Sequence, residues 1–395
     1  MILEERAYIK MKFSKRMDLF GESIFTTLAN MRSERKKQGL EVIDLSIGAP
    51  NIPPTQEVME TIAKEAMKPE NYLYAIKDSV DLQNTVKEWY ERRYGVVIDP
   101  TTELTSLLGS QDGLAHLALT LVDEGDTVLV QDPCYPIFRD GPLLAGAHVV
   151  TMPLLKENDY LIDFDRIDEK TAQDAKYMIV SYPNNPTCGV ANDEFYKKLI
   201  VFAKKYNIVV LHDNAYSELL FEGPGHSFLE FEGAKDVGIE FNSLSKTYGL
   251  AGARIGFAIG NKEIIGKLKS LKSNLDYGMF LPIQKGAIKA LTQDQSCVEE
   301  TRNAYKHRRD LLVNGCKSIG WDMPKGTMFV WAKIPDKFKD SETFVKELFD
   351  KTGVLMVPGN AFGTQGEGYV RMALVQSDDT IEHALDMMDK SGLFK

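Results

Sequence analysis

From Leu104 to Gly260, short apolar runs recur, each closing on a turn of glycine, proline, asparagine or acidic residues before a longer stretch follows. The runs Thr105-Ser-Leu-Leu108, Asp126-Thr-Val-Leu-Val-Gln131, Ala147-His-Val-Val-Thr151, Lys176-Tyr-Met-Ile-Val-Ser181 and Asn207-Ile-Val-Val-Leu-His-Asp213 read as buried strands. Asp236-Val-Gly-Ile-Glu-Phe241 and Arg254-Ile-Gly-Phe-Ala-Ile-Gly260 read as two more. Helical patterns over 114–121 and 192–206 lie between them. This alternation predicts an α/β chain in which residues 52–285 form a large domain with a mostly parallel sheet flanked by helices. In such open sheets, ligands bind beyond the carboxyl ends of the strands.

On either side of that middle the pattern changes. Residues 1–51 read as an N-terminal arm, a helix whose charged run Arg32–Lys37 faces solvent, and a strand over Glu41–Gly48, closed by Ala-Pro-Asn-Ile-Pro-Pro54. Helices over 56–67 and 79–93 follow. After the helix 262–273, a long helical region is expected over Pro282–Ile319. Strands over 328–334, 354–357 and 368–375 alternate with a helix over 341–351 and a final helix. Residues 286–395, together with the N-terminal segment, are therefore expected to build a smaller α+β domain.

A chain of 395 residues is long for one core, and 44% hydrophobic with 26% charged side chains is a globular composition. The net charge of −10 and the lack of a basic block argue against nucleic acid. Cys134, Cys188, Cys297 and Cys316 are far apart and form no Cys-x-x-Cys pair, so no zinc site or disulfide framework is expected. The charged start Met-Ile-Leu-Glu-Glu-Arg and the lack of a long apolar stretch predict no membrane contact and a cytoplasmic protein. A nicotinamide enzyme would need Gly-x-Gly-x-x-Gly after an early strand, and none is present.

The stretch Asn242-Ser-Leu-Ser-Lys-Thr-Tyr-Gly-Leu-Ala-Gly-Ala-Arg-Ile-Gly256 sets two hydroxyls and an amine within four residues and a guanidinium eight residues on. On a glycine-rich connection between strands, this is an anion site built around a lysine. Gly109-Ser110-Gln111-Asp112-Gly113 feeds a helix, whose free amides and dipole suit a phosphate. Tyr135 stands between prolines at one strand end, where it can lie against a ring or fill the core. Asn184 and Asn185 are held between Pro183 and Pro186, which fixes the direction of an amide. Asp213 ends a buried strand, where an acid is costly unless paired. Arg371 interrupts an apolar strand.

With these motifs in this order, the chain resembles the class I/II aminotransferases, pyridoxal 5′-phosphate (PLP) enzymes of fold type I. In detailed wording it is most similar to the branch containing LL-diaminopimelate and alanine aminotransferases. The resemblance covers roughly Asp44 to Val375. It implies that Lys246 forms the Schiff base with the cofactor, and that Ser110, Gln111, Ser243, Ser245 and Arg254 hold its phosphate. It implies further that Tyr135 stacks on the ring, Asp213 faces the ring nitrogen, and Asn185 and Tyr216 meet the phenolic oxygen. Gly48, Asn185 and Arg371 fall on the substrate side, with Arg371 on the carboxylate. A tyrosine reaching into the partner subunit's site is expected at Tyr74 in preference to Tyr72. In the family's usual Asn-Pro-Thr-Gly, Cys188 stands as an insertion between threonine and glycine, and Asp78 and Leu82-Gln83 replace the glycine and Leu-Arg that follow the tyrosine. The implied reaction moves an amino group from an L-amino acid to a 2-oxo acid, 2-oxoglutarate or pyruvate, by a ping-pong route in a homodimer. A PLP-dependent carbon–sulfur lyase on the same fold remains the alternative, because the cofactor apparatus is shared.

Overall fold

The computed structural model describes residues 11–316 and 320–394. The charged N-terminal segment Met1–Tyr8 and Ile319, the expected end of the long helical region, lie outside them. The strands in chain order are β1 (Ile43–Asp44), β2 (Leu104–Leu107), β3 (Thr127–Asp132), β4 (His148–Pro153), β5 (Ala175–Ser181) and β6 (Val209–Asp213). They continue with β7 (Gly238–Ser243), β8 (Gly256–Gly260), β9 (Phe329–Lys333), β10 (Val354–Leu355), β11 (Val357–Pro358) and β12 (Tyr369–Ala373).

Seven of these form one sheet in the order β2-β8-β7-β6-β5-β3-β4, in which only β8 runs antiparallel to its neighbours. Helices cover both faces, as near-continuous burial along the inner strands requires. Leu107, Val130, Ile179, Leu211, Ile239 and Phe241 pack on one face, and Leu129, Met178, Val180, Val210 and Phe257 on the other. The crossovers are capped by their own side chains. Asn192 accepts the Phe195 N–H at 2.9 Å to start the helix Asp193–Tyr206, and Asn207, at φ +55°, ends it in the left-handed region and turns the chain into β6.

Several expected boundaries move, each for a local reason. Only Ile43–Asp44 of the run Glu41–Gly48 is strand, because its partner is the equally short Val354–Leu355. The expected strand 354–357 divides into β10 and β11, since the chain changes sheet there: β10 pairs with β1, and β11 with β12. The region after Pro282 is two helices, Leu281–Thr292 and Ser296–Gly315; the Gln295 side chain bonds the carbonyls of Ala290 and Gln293 and closes the first. Strand β8 begins two residues later than expected because Arg254 sits at φ +57°. The helix expected from Leu114 begins at Ser110, directly on the glycine turn.

A second body packs β9, β11 and β12 as an antiparallel sheet against the helices Ser341–Thr352 and Asp378–Ser391. Leu28, Ile43 and Leu45 from the N-terminal segment join its core. Among the described residues, no helix is long and apolar enough to cross a membrane.

Candidate active site

The carboxyl ends of β5, β6 and β7 deliver Ser181, Asp213 and Ser243 to one rim of the large sheet, and β12 of the second body faces them with Arg371. Between the two lies a cavity of about 360 Å³ whose lining includes Ser110, Tyr135, Asp213, Lys246, Arg254 and Arg371. Gly48, Gln111, Asn185, Tyr216, Ser243 and Ser245 line it as well. Thus, of the residues given a cofactor or substrate role in the sequence, all but Tyr74 meet in one place. Tyr74 is 85% exposed away from the cavity, its ring 5.9 Å from that of Tyr277.

Lys246 lies on a single helical turn, Leu244–Thr247, capped by Ser243, whose hydroxyl accepts the Ser245 N–H at 3.2 Å. Its ammonium donates to the Gly48 carbonyl at 2.8 Å. Burial, with the Arg371 and Arg254 charges adding to it, lowers the Lys246 pKa to about 8. An amine so placed is uncharged far more readily than a surface lysine, and an uncharged amine is the form that attacks a carbonyl or accepts a proton.

The opposite wall is built for an anion. Gly109, at φ +91°, opens the helix Ser110–Leu121, and no side chain caps its first turn. A side chain on Gly109 would run into the Arg254 guanidinium, and one on Gly256 would meet the Asn242 carbonyl and the Ser110 nitrogen. Glycine at both positions lets the lysine loop close onto the helix start. Arg254 is held over this turn by its own bond to the Ala251 carbonyl at 2.9 Å. Tyr135 donates to Gln111 Oε1 at 3.2 Å.

Two groups in the cavity are buried without satisfaction. Asp213 Oδ1 has no hydrogen-bond partner, and burial raises the Asp213 pKa to about 6. Arg371 is 2% exposed; its Nη1 donates to Asn185 Oδ1 at 2.9 Å and its Nη2 to the Ser46 carbonyl at 3.0 Å, while Nε has no partner. Among the described residues no acid pairs with it. Burial lowers its pKa to about 10. The rings of Phe329 and Phe362 flank the guanidinium, with centroids 4.2 and 4.7 Å from Cζ.

The adjacent asparagines divide their work. Asn184, fully buried, accepts the Thr187 N–H and hydroxyl at 3.0 and 2.7 Å and donates to Gln131 at 3.2 Å, which locks the turn. Asn185 is left to face Arg371. Cys188 in the same turn sits at φ +62°, its thiol against the Phe329 carbonyl at 3.3 Å, and burial pushes its pKa up to about 12, so it packs as a neutral thiol. Sequence reasoning missed Phe25, Ser46 and Phe329: the first two come from the N-terminal segment, and nothing in their local pattern marks them.

Two other clusters lie apart from this cavity. A surface groove of about 910 Å³ along the helix Asp193–Tyr206 is lined in part by Asp163, Asp165, Lys198 and Lys205. Asp112, His116 and Asp276 are close enough to share a metal, but the Lys272 ammonium sits 2.8 Å from Asp112 and 2.9 Å from Asp276 and already supplies the positive charge.

The family of class I and II aminotransferases matches residues 41–388. The LL-diaminopimelate aminotransferase of Halothermothrix orenii is 41% identical over 374 residues, 94% of this chain and 96% of that one. The chain belongs to the class I and II aminotransferases. The structure of apo-BacF from Bacillus subtilis superposes with a TM-score of 0.95 at 35% identity, over 98% of this chain and all of that one. A double mutant of the Thermus thermophilus aspartate aminotransferase does so at 0.90 and 27% identity, over 97% of this chain and all of that one. The protein is therefore a PLP-dependent aminotransferase, and its relatives give the carbon–sulfur lyase alternative no support. The cavity fits that cofactor: a glycine-built anion cradle faces a lysine of lowered pKa, with the unpartnered Asp213 oxygen buried beside them.

Proposed function

We propose that this aminotransferase moves the α-amino group of an L-amino acid to a 2-oxo acid in two half-reactions at one site, with Arg371 holding the α-carboxylate of each substrate in turn. The carrying observation is the buried guanidinium, which among the described residues has an unpartnered Nε and no acid beside it. A charge left so costs several kcal/mol, on the order given for unpaired buried ions, until a carboxylate arrives. Asn185 and the Ser46 carbonyl fix the plane of the fork, so the carboxylate is received with two parallel hydrogen bonds.

In this reading Ser110, Gln111, Ser243, Ser245 and Arg254 hold the phosphate of PLP. Tyr135 covers the ring, Asp213 meets its nitrogen, and Asn185 and Tyr216 meet its phenolic oxygen. When bound, the cofactor supplies a carbonyl that takes the amino group and a conjugated ring that takes up the electrons of the deprotonated α-carbon. Lys246 supplies the base: its Nζ accepts the α-proton and later returns one, and a pKa of about 8 suits both directions near neutral pH. Gly48 lets the chain pass close to Arg371; a Cβ there would lie 2.7 Å from the Phe329 ring.

The relatives' name makes LL-diaminopimelate the first donor to test, with 2-oxoglutarate and pyruvate as acceptors. The enzyme is mixed with one amino acid at a time and the cofactor absorbance is followed. Conversion to the amine form without any oxo acid, reversed by adding one, is expected. Release of ammonia with no acceptor present would sink the reading.

The same reading includes a large body and a small one divided near residues 52 and 286, and a homodimer in a reducing cytoplasm. Tyr72, Leu73, Tyr74 and Ile76 stand exposed in a row beside Tyr277 and Phe280, an apolar strip that suits a partner chain and would carry Tyr74 toward its cavity. All four cysteines are free. Light scattering should give the mass of two chains, and Tyr74→Asp should lower both that mass and turnover.

A further inference from the structure

Three successive carbonyls of the N-terminal segment are taken by residues of β12 and the stretch after it. The Asp44 carbonyl accepts from the Gln376 side chain at 2.7 Å, the Leu45 carbonyl from the Ala373 N–H at 2.7 Å, and the Ser46 carbonyl from Arg371 Nη2 at 3.0 Å. The first two bonds only join the segment to the second body. The third sets one arm of the guanidinium fork, so the direction of the Ser46 carbonyl decides the plane in which Arg371 receives a carboxylate.

Ser46 is itself held by one carboxylate. Asp44 Oδ1 accepts both the Ser46 N–H at 2.9 Å and the Ser46 hydroxyl at 2.6 Å, so the aspartate closes a turn on the residue two positions on. Its Oδ2 is occupied separately, by Arg32 Nη1 at 2.6 Å. Arg32 lies on the helix Ile24–Lys37, two turns beyond Phe25 and on the same face. The Phe25 ring is 5.9 Å from Arg371 Cζ. One acid thus ties together a carbonyl and a ring on two sides of the Arg371 guanidinium. The helix does not need this pair to stay in place. Leu28 is buried in the core of the second body, and Arg35 bonds the carbonyls of Glu41 at 2.7 Å and Asp350 at 3.0 Å. The side chains of Arg32 and Asp44 remain 29% and 15% exposed, and an ion pair this open adds little to stability.

We propose that Asp44, pinned by Arg32, is a positioning residue for the substrate carboxylate: it fixes Ser46 so that the Ser46 carbonyl holds the Arg371 fork in the plane a carboxylate needs. This rests on the reading of Arg371 as the carboxylate site. Neither member of the pair touches substrate or cofactor. Loss of either loosens the fork without removing it, and the Asn185 bond to Nη1 remains. Because the fork meets the same carboxylate in the bound substrate and throughout the reaction, the effect falls on binding and not on turnover.

The test uses the PLP-loaded enzyme and two probes that differ only in the carboxylate, L-alanine and ethylamine, with pyruvate for the reverse half-reaction. In single turnovers, Arg32→Met and Asp44→Ala should each raise the half-saturating concentrations of L-alanine and of pyruvate by the same factor, about 3- to 10-fold, the range of one ordinary hydrogen bond. Limiting rates, the reaction of the cofactor with ethylamine and the dissociation constant of PLP should stay as in wild type. Arg32→Lys keeps a cation opposite Asp44 and should restore the wild-type values. Should Asp44→Ala fail to fold, the two variants of the part-exposed Arg32 carry the test. Three results would each overturn the proposal: unchanged half-saturation in Arg32→Met, an equal loss with ethylamine, or an Arg32→Lys no better than Arg32→Met. Arg371→Met is the reference. If it left the preference for L-alanine over ethylamine intact, the assignment of Arg371 would fall, whereas a preference lost there but intact in the pair variants would remove only the role of the pair.

Discussion

Gly109 and Arg254 share a space that admits only one side chain. The glycine sits at φ +91° and ψ 159°, and any Cβ on it would collide with the arginine's guanidinium. Arg254 is itself in the left-handed region at φ +57°, so the helix start and the lysine loop each adopt an uncommon backbone where the guanidinium meets the helix start.

Gly109→Ala tests that arrangement. The backbone region alone costs a side chain about 1–3 kcal/mol, and displacement of Arg254 adds to it. PLP affinity should fall by roughly 10- to 100-fold, measured by reconstitution of the apoprotein, with the melting temperature lowered by a few degrees. Gly252→Ala, in the same loop with nothing within 4 Å of its added Cβ, should leave both unchanged.

The lowered pKa of Lys246 carries a sign that can be checked without cofactor. Its folded value of about 8 lies below the ordinary 10.5, so between the two the unfolded chain holds a proton that the folded one does not. Stability of the apoprotein should therefore gain from this group as pH rises through that window. Acylation of Lys246, read by peptide mass spectrometry, should reach half its limiting rate near pH 8, while surface lysines respond near their ordinary value. Arg371 is the strongest charge lowering it, so Arg371→Met should move the midpoint upward.

Asp132 at the end of β3 ties the second body to the large sheet: it accepts the Thr364 hydroxyl at 2.7 Å and the Gln365 N–H at 3.1 Å, and next to it the Cys134 N–H bonds the Phe362 carbonyl at 2.8 Å. The Phe362 ring is one wall of the Arg371 site. Thr364→Val removes one bond of this clasp, worth about 1.5–3 kcal/mol to a charged acceptor. The KM for the amino acid should rise by about tenfold, and PLP affinity should stay as in wild type. An equal loss of both would mean that the clasp acts through the whole fold and not on the Arg371 wall.

The large sheet was legible because buried parallel strands write themselves as apolar runs, Asp213 and Arg371 because each puts charge where such runs leave no room for it, and Lys246 because two hydroxyls, an amine and a guanidinium share one glycine-rich connection. The direction of β8 was not written locally. Nothing in Gly-Phe-Ala-Ile-Gly distinguishes it from a parallel strand, and the left-handed Arg254 that turns the chain into it is not a glycine. Ser46 and Phe329 contribute a carbonyl and a ring whose value depends on the approach of Arg371, hundreds of residues away for one of them.

In the proposed function, Arg371 separates recognition of the common carboxylate from everything specific to one substrate. Its Nη1 and Nη2 are already oriented by Asn185 and the Ser46 carbonyl, and its charge is flanked by rings and not by acids. Lysine would keep the charge but could not span Asn185, Ser46 and a carboxylate in one plane. Loss of one charge-assisted hydrogen bond is worth about 1.5–3 kcal/mol, so Arg371→Lys should lower kcat/KM by roughly 10- to 150-fold. Because amino acid and 2-oxo acid present the same carboxylate to the same fork, single-turnover rates for the two half-reactions should fall by similar factors. PLP affinity should be nearly unchanged. A variant impaired with the amino acid alone, and normal with the oxo acid, would show that the two substrates do not share Arg371.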